Sequence, residues 1–350
     1  MRLPALLDKW QWKKRKMVTS AIVGGGNSAR VGEMQGGLEK AQQLVNSQQH
    51  HKMRLLQPPT EILLLIFNHL GPKFFAQDLR CLAVSKQWHD LAWPVLVRDL
   101  SLRGPSLARL SHNPTLLARS QRHIVTFTLH LEGPPGRAAV LSYARWSAEL
   151  TTALTALFQA LSQAPALRAL TLTAHALGNA GHILPARALA NLLSSVQHRQ
   201  GHYLTSLHLD THACPIGQEY DAGVHLCASI NALLLPSLRV LRCRMERVCP
   251  VLLGGEDALP MLEEVVVNLS LAPVENMYFS GCHAGGCGGL YGDDGAGLAQ
   301  EMERAASVLV GRMGAERRRV RILSHRLPSL ELVVFDAVEG RREVMVEVLE

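Results

Sequence analysis

The sequence predicts an α+β protein in which a small helical domain precedes a larger domain of alternating strands and helices. Three observations predict this. Proline and glycine bracket a short, strongly apolar helix between positions 58 and 72. Apolar residues in the spacing L-x-x-L-x-L then recur along the rest of the chain. Helical patterns lie between several copies of that template, and such alternation favours a parallel sheet.

The composition of the chain excludes several classes of function. Its 350 residues are 47% hydrophobic, which is enough for more than one packed domain. The net charge of +7 arises in residues 1–57, which hold ten Lys or Arg against three carboxylates. We therefore expect no nucleic-acid partner for the body, and no apolar run is long enough to span a membrane. Seven cysteines without framework spacing indicate a reducing compartment, the cytoplasm or the nucleus.

Residues 1–54 form a basic, Gly- and Gln-rich tail that has no periodic apolar face, which predicts disorder. Its glycines at 24–26 have the spacing of a dinucleotide-binding turn. Neither a buried strand before them nor a carboxylate about 20 positions later supports that interpretation. A nucleotide-binding enzyme is therefore the less favoured alternative to a flexible linker. The basic start also leaves open a mitochondrial presequence or, at Lys13–Lys16, a nuclear-import patch.

The first helix begins at a proline and carries too many apolar residues for a surface helix. Pro59 fits a first helical turn, and Gly71-Pro72 is expected to end the helix. The run Ile62–Phe67 coats the helix on every side, so it must be buried. Because the run is too short to cross a bilayer, which needs about 20 apolar residues, the covering surface must be protein.

Two more short helices are predicted to follow. Asp78 is a good N-cap for a helix that bears Leu79 and Leu82. Residues 86–93 form the third helix, with Trp88 and Leu91 on one side. A three-helix unit of this size rarely gains more than about 3 to 5 kcal/mol from its own core. The helical domain therefore needs a partner surface.

The stretch LLQPPTEILLLIFNHLGPKFFAQDLRCLAVSKQWHDLAWPVLVRDLSL resembles an F-box, in particular those of fungal F-box proteins. The family pattern is Leu-Pro-x-Glu-Ile-Leu, a hydrophobic helix that ends in Leu, then Asp-Leu and Val-Ser-Lys-x-Trp. This sequence departs from the pattern at Pro58, where the family usually has Leu. The residues that match are Pro59, Glu61, Ile62, Leu63, Ile66, Leu70, Asp78, Leu79, Val84, Ser85, Lys86 and Trp88.

The resemblance implies an F-box at 55–96 that binds a Skp-type adaptor, and through it a cullin scaffold and a RING subunit. It implies a non-catalytic substrate receptor of an SCF-type ubiquitin ligase, with an F-box scaffold that has no ligase role as the alternative. Trp88 and Leu91 are expected in the core of the F-box itself. The expected adaptor-binding residues are Pro59, Ile62, Leu63, Ile66, Leu70, Leu79, Leu82 and Val84.

Residues 97–350 resemble a leucine-rich-repeat solenoid, because strand, loop and helix recur at intervals typical of such repeats. The repeats are irregular, and an ordinary parallel α/β sheet is the alternative. In either case we expect all the strands to run parallel, with a Gly-rich loop at 281–297. The template positions are Val97-Leu100-Leu102, Ile124-Phe127-Leu129, Leu167-Leu170-Leu172, Leu204-Leu207-Leu209, Leu238-Leu241-Cys243, Leu262-Val265-Val267 and Leu330-Val333-Phe335.

In a solenoid, the residues that alternate with the buried leucines point to the open face of the sheet. These are the candidates for contact with an unknown protein substrate: Thr171, Thr173, His208, Asp210, Arg242, Arg244 and Asn268. No metal or other cofactor is expected, because the His-x-Cys pairs at 212–214 and 225–227 and the cluster at 282–287 lack zinc-ligand spacing. Catalytic motifs are also missing from the sequence.

Overall fold

A computed structural model describes residues 58–132, 140–174, 184–197, 204–211, 226–234, 237–274, 277–279, 296–314, 318–326 and 331–345. Within these residues the chain forms eight α-helices, a nine-stranded sheet and a two-stranded sheet. The predicted α+β class is therefore confirmed. The chain divides after Leu96 into two compact units. The predicted tail at 1–54, with its glycines at 24–26, lies outside the described residues, as does the predicted loop as far as position 295.

The described part of the first unit contains two α-helices with a 3₁₀ helix between them. Its elements are α1 (Thr60–Gln77), the 3₁₀ helix (Leu79–Ala83) and α2 (Lys86–Arg98). The backbone of α1 leaves helical geometry at Gly71, where φ is +72° and ψ is 175°. A residue with a side chain rarely adopts this conformation, which explains the glycine. Helical structure resumes at Pro72, so the predicted end at Leu70 is a kink rather than a terminus.

Aromatic side chains form the centre of the first unit. Phe67 and Phe75 on α1 are fully buried, and their ring centroids lie 5.4 Å apart in an edge-to-face arrangement. Phe67 also contacts Trp88 of α2 edge to face, at 4.5 Å between centroids. Leu63 and Leu82 are buried as well. The inner side of α1 is thus packed within the unit.

The second unit alternates strands with helices for most of its length. Among its described residues is another 3₁₀ helix, at Pro250–Leu253, which we call the second 3₁₀ helix. In chain order, its strands and α-helices are β1 (Asp99–Arg103), α3 (Gly104–Ser111), α4 (Pro114–Gln121), β2 (Thr126–Leu131), α5 (Val140–Leu161), β3 (Ala169–Ala174), α6 (Ala186–Gln197), β4 (Ser206–Asp210), α7 (Leu226–Leu234), β5 (Val240–Arg244), β6 (Glu264–Asn268), β7 (Ser270–Val274), β8 (Met277–Phe279), α8 (Ala296–Arg312), β9 (Arg319–Arg326), β10 (Glu331–Asp336) and β11 (Arg341–Met345).

The large sheet keeps the strands in chain order, β1-β2-β3-β4-β5-β6-β9-β10-β11. Every pairing from β1 through β6 to β9 is parallel, and the template positions of β1–β6 align across the sheet. One row of paired residues consists of Leu100, Phe127, Leu170, Leu207, Leu241 and Val265. The sequence template therefore identified the strand register over six strands.

The end of the sheet differs from the prediction. β10 contains the last predicted template copy, but it runs antiparallel to β9, and β11 runs antiparallel to β10. The expectation that all strands run parallel is wrong here, because the four-residue gap from 326 to 331 is too short for a crossover. The parallel neighbour of β6 is β9, which the template missed because Arg317 stands at its first apolar position.

The two faces of the sheet have different environments. In β2, β3, β4 and β6 buried residues alternate with half-buried ones. The helices α3, α5, α6 and α7 pack against one another in succession, and their apolar residues share one core with the buried strand residues. The opposite face is partly open to solvent. None of the described helices combines the length and apolar composition needed to cross a bilayer.

Two polar side chains of the second unit donate hydrogen bonds to backbone carbonyl oxygens of neighbouring elements. Arg318 donates to the carbonyl oxygens of Val310 and Gly314 near the end of α8, which suits the negative end of a helix dipole. Asn231 donates to the carbonyl oxygens of Leu252, at 3.1 Å, and Gly254, at 2.8 Å. The second 3₁₀ helix is therefore fixed to α7.

Candidate functional site

The first unit exposes a set of large apolar side chains on its helices. A soluble monomer rarely displays so many in so short a segment, and such a patch marks an interaction site. Pro59, whose carbonyl oxygen accepts the first helical hydrogen bond from Leu63 at 3.1 Å, is also exposed. The exposed apolar surface, which we call the α1 patch, consists of Ile62, Leu64, Leu65, Ile66, Leu70, Phe74 and Val84.

The arrangement of the patch follows from helical geometry. Ile62, Ile66 and Leu70 recur at i, i+4 and i+8, so they form one stripe along α1. Leu65 lies outside that stripe and is 66% exposed. The stripe borders the buried side of the helix, which explains why its residues are each between 38% and 45% exposed. A partner that covered the stripe would bury the exposed parts of these three side chains.

The predicted adaptor residues divide into two groups. Five of them, Pro59, Ile62, Ile66, Leu70 and Val84, are exposed and could contact another protein directly. Leu79 is half-buried. Leu63 and Leu82 are buried within the unit, which places them beneath the patch as support.

The sequence interpretation missed three residues of the patch, Leu64, Leu65 and Phe74. The signal for the first two was present, because an all-round apolar helix must expose some members to a partner. Phe74 follows the kink at Gly71 and lay beyond the predicted end of the helix. Of the two predicted core residues, Leu91 is half-buried and Trp88 is half-buried against Phe67.

Two caps position the short helices that carry the rest of the surface. Asp78 accepts hydrogen bonds from the backbone N–H of Arg80, at 3.0 Å, and from its guanidinium. These bonds, led by the one to the side chain, lower the pKa of the Asp78 carboxyl from its ordinary value. Ser85 accepts from the backbone N–H of Trp88 at 3.1 Å and begins α2. Val84 is held between these caps.

The second unit brings the predicted substrate residues together on the open face of the sheet. Thr171, His208 and Arg242 are paired across β3, β4 and β5. Thr173, Asp210 and Arg244 are paired in the same way two positions further along, and Asn268 ends β6. Arg242 is exposed and the other six are half-buried. Their contact with a substrate stays a prediction.

Several of these side chains are held by neighbours. Arg242 forms an ion pair with Glu264 at 2.8 Å. The guanidinium of Arg244 donates to the backbone carbonyl oxygen of Ser270 at 2.7 Å. Asn268 accepts from the backbone N–H of Ser270 at 2.8 Å. The basic side chains are therefore oriented before any partner binds.

Burial has the largest effect on the pKa of His208, which lies at the centre of this face. It lowers the pKa of His208 from its ordinary value; Arg242 lowers it further and Asp210 opposes both. One carboxylate oxygen of Asp210, Oδ1, is buried and has no hydrogen-bond partner among the described residues. Those residues also contain no cluster of His, Cys, Asp and Glu that could hold a metal ion.

Comparison with protein families bears on the first unit. Residues 59–103 match the model of the F-box-like family, a range that covers the α1 patch and both caps. The chain therefore contains an F-box-like domain at these residues. F-box domains are typically non-catalytic modules that bind Skp-type adaptors. Comparison with curated proteins and with solved structures found no match.

Proposed function

We propose that this protein is the substrate-recognition subunit of an SCF-type ubiquitin ligase. The F-box-like domain would bind a Skp-type adaptor and, through it, a cullin scaffold and a RING subunit. The second unit would bind a protein substrate. The single observation that carries the proposal is the α1 patch, which lies within the segment that matches the F-box-like family.

The energetics of the patch support an adaptor interface. Full burial of an exposed Ile or Leu side chain contributes about 1.5 to 3 kcal/mol. Ile62 and Ile66 are already about half-covered by their own unit, so each retains roughly half of that contribution for a partner. Leu65 and Val84, which are more exposed, retain more. The patch is therefore the surface of this unit that gains most from association.

The second unit is the proposed substrate receptor, and we take it to be an irregular leucine-rich-repeat-like solenoid. Strands in chain order, with successive helices packed side by side, support this interpretation. A doubly wound sheet would have helices on both faces, whereas the open face here is half-exposed. That face presents the seven predicted substrate residues in adjacent rows.

The proposed mechanism is proximity rather than chemistry by this chain. A bound substrate would be held near a ubiquitin-charged enzyme, which raises the effective concentration of its lysines. The protein itself would act without a catalytic residue or a cofactor. Its work would take place in the cytoplasm, the nucleus or both.

A titration of purified Skp-type adaptor into the full chain tests the proposal. The Ile62→Ala, Ile66→Ala double variant should lose at least tenfold in affinity, since about 1.4 kcal/mol corresponds to a factor of ten. The matched control is Met261→Ala, Val308→Ala, which truncates two exposed apolar residues of the second unit. Equal adaptor affinities for wild type and the F-box variant, with both proteins folded, would overturn the proposal.

Addition of the cullin scaffold to the adaptor complex separates the ligase role from its alternative. A receptor should carry the adaptor into a complex with the cullin and RING subunits. If the adaptor binds but the cullin is not recruited, the chain is an F-box scaffold without a ligase role. Both results are read from one size-exclusion experiment on the wild-type chain.

A further inference from the structure

Charge is distributed unevenly over the open face of the sheet. Among the described residues of β1–β4 that point to this face, there is one arginine against two aspartates. On β5, β6 and β9 there are four arginines and one glutamate. The burial pattern of β9 confirms the direction of its side chains, since Val320 and Ile322 are buried and the arginines beside them are exposed. We call Arg242, Arg244, Arg319 and Arg321 the arginine cluster.

Strand register determines the spacing of the cluster. Arg242 on β5 and Arg321 on β9 are both paired with Val266 of β6. Neighbouring strands lie about 4.7 to 4.9 Å apart, so the two Cα atoms lie about 9 to 10 Å apart across β6. Arg319 is two residues before Arg321, about 6.6 Å along the strand. The cluster therefore surrounds half-buried Val266 with basic groups.

Internal carboxylates neutralise only part of this cluster. Glu264 pairs with Arg242 at 2.8 Å, and Asp336 pairs with Arg321 at 3.2 Å. Arg244 donates to a carbonyl oxygen, so its charge is not balanced by that bond. Arg319 forms no ion pair with any described residue and is exposed. Asp210 of β4 is paired with Arg244 in the strand register, so the four arginines stand against three carboxylates and one positive charge remains in excess on this surface.

We propose that the arginine cluster binds an acidic segment of a partner protein, with Asp or Glu side chains on either side of Val266. A planar guanidinium group can donate two parallel hydrogen bonds to one carboxylate. Complementary charge across an interface favours the matching partner and fixes its register. This proposal rests on the proposed function, since the acidic segment would belong to the substrate. It specifies the chemical class of that substrate at this part of the open face.

The ion pair between Arg242 and Glu264 allows a substitution that should strengthen binding of an acidic peptide. Glu264 occupies Arg242, so Glu264→Gln should free that guanidinium and strengthen binding of an acidic peptide about threefold. Arg319→Gln, Arg321→Gln should weaken the same binding about tenfold. A disrupted sheet would weaken binding in both variants, so opposite signs separate recognition from misfolding. Arg109→Gln, Arg122→Gln is the matched control, because both arginines are exposed and lie outside the strands.

The probe is a fluorescein-labelled ten-residue peptide of alternating Glu and Ser, measured by fluorescence anisotropy on the full chain at low salt. A peptide with Gln in place of Glu is the probe control, and raised salt should weaken binding of the acidic probe. Equal binding of the two peptides, or equal losses in the control and cluster variants, would overturn the proposal. Tighter binding of a single-stranded oligonucleotide than of the acidic peptide would also overturn it. Adaptor titration of the same preparations reports separately on the proposed ligase function.

Discussion

The ring of Phe67 on α1 contacts the ring of Trp88 on α2 edge to face, with centroids 4.5 Å apart. Phe67 is fully buried, while Leu65, two positions earlier on the same helix, is 66% exposed. One helix therefore has an apolar side that builds its own unit and an apolar side that remains open. The two sides can be tested separately.

Phe67→Ala should unfold the F-box-like unit, whereas Leu65→Ala should leave its stability almost unchanged. Truncation of a buried Phe costs about 3 to 5 kcal/mol, which is about the whole stability that a unit of this size gains from its core. An exposed truncation usually changes stability by less than about 0.5 kcal/mol. Urea unfolding of the full chain, followed by circular dichroism, measures both. A native-like transition in Phe67→Ala would show that the aromatic contact is not central to the fold.

Arg342→Ala should destabilise the end of the sheet by about 1.5 to 3 kcal/mol, the range for a hydrogen bond to a charged group. Arg342 of β11 bonds both carboxylate oxygens of Glu303 on α8, and the side chain of Glu303 is only 10% exposed. Without Arg342 a buried carboxylate loses its partner. Hydrogen exchange of β10 and β11 amides measures the local loss.

The neighbouring arginine provides the control for that experiment. Arg341 pairs with Glu339 and Glu343, and all three side chains are more than half exposed. Exposed ion pairs are worth about 0 to 1 kcal/mol, so Arg341→Ala should change exchange little. Equal effects of the two substitutions would contradict the role given to Glu303.

His208 should make the second unit less stable in mild acid. Burial holds the pKa of His208 below its ordinary value of 6.5, so the unfolded chain binds the proton more readily. Stability is then fully present above pH 6.5 and is lost as the pH falls below that value. We expect the Tm of the wild type to fall more steeply from pH 7 to pH 5 than that of His208→Gln. Parallel Tm profiles would count against the assignment.

Cys243 should resist alkylation in the folded protein. Burial, with a smaller effect from Asp210, raises the pKa of its thiol to about 12, so the reactive thiolate is scarce near neutral pH. Half-buried Cys81 in the first unit is the internal comparison. Peptide mapping after iodoacetamide treatment at pH 8 should find Cys81 modified well before Cys243. Modification of both at one rate would indicate that β5 opens readily.

The F-box-like site was predictable from sequence in its location and less so in its surfaces. Pro59 and Asp78 indicated where helices begin, because caps and turns are local chemistry. Periodicity cannot show which side of a fully apolar helix faces inward. Leu63 was therefore grouped with the adaptor-binding residues although it is buried, and Leu65 was missed. A Pro59→Ala, Leu63→Ala variant would accordingly perturb folding as well as binding.

The sheet was predictable where each strand has its own apolar template. Paired residues such as Leu170 and Leu207 share one register because both occupy the same template position. The antiparallel direction of β10 could not be predicted in this way. Alternating apolar residues such as Val333 and Phe335 fit a parallel and an antiparallel strand equally well. The helices α3, α4 and α7 were also missed, because each has eight or nine residues and so only two turns to show a period.

The chain order of the strands has a consequence for how the second unit folds. From β1 to β6, each strand pairs with the strand that follows it in the chain, so contacts join residues that are close in sequence. The entropy lost on closing each loop is then small, and folding can start in one strand–helix pair and spread to its neighbours. The connection from β6 to β9 spans 50 residues and is the exception. We expect the segment beyond it to join last during folding and to detach first under force.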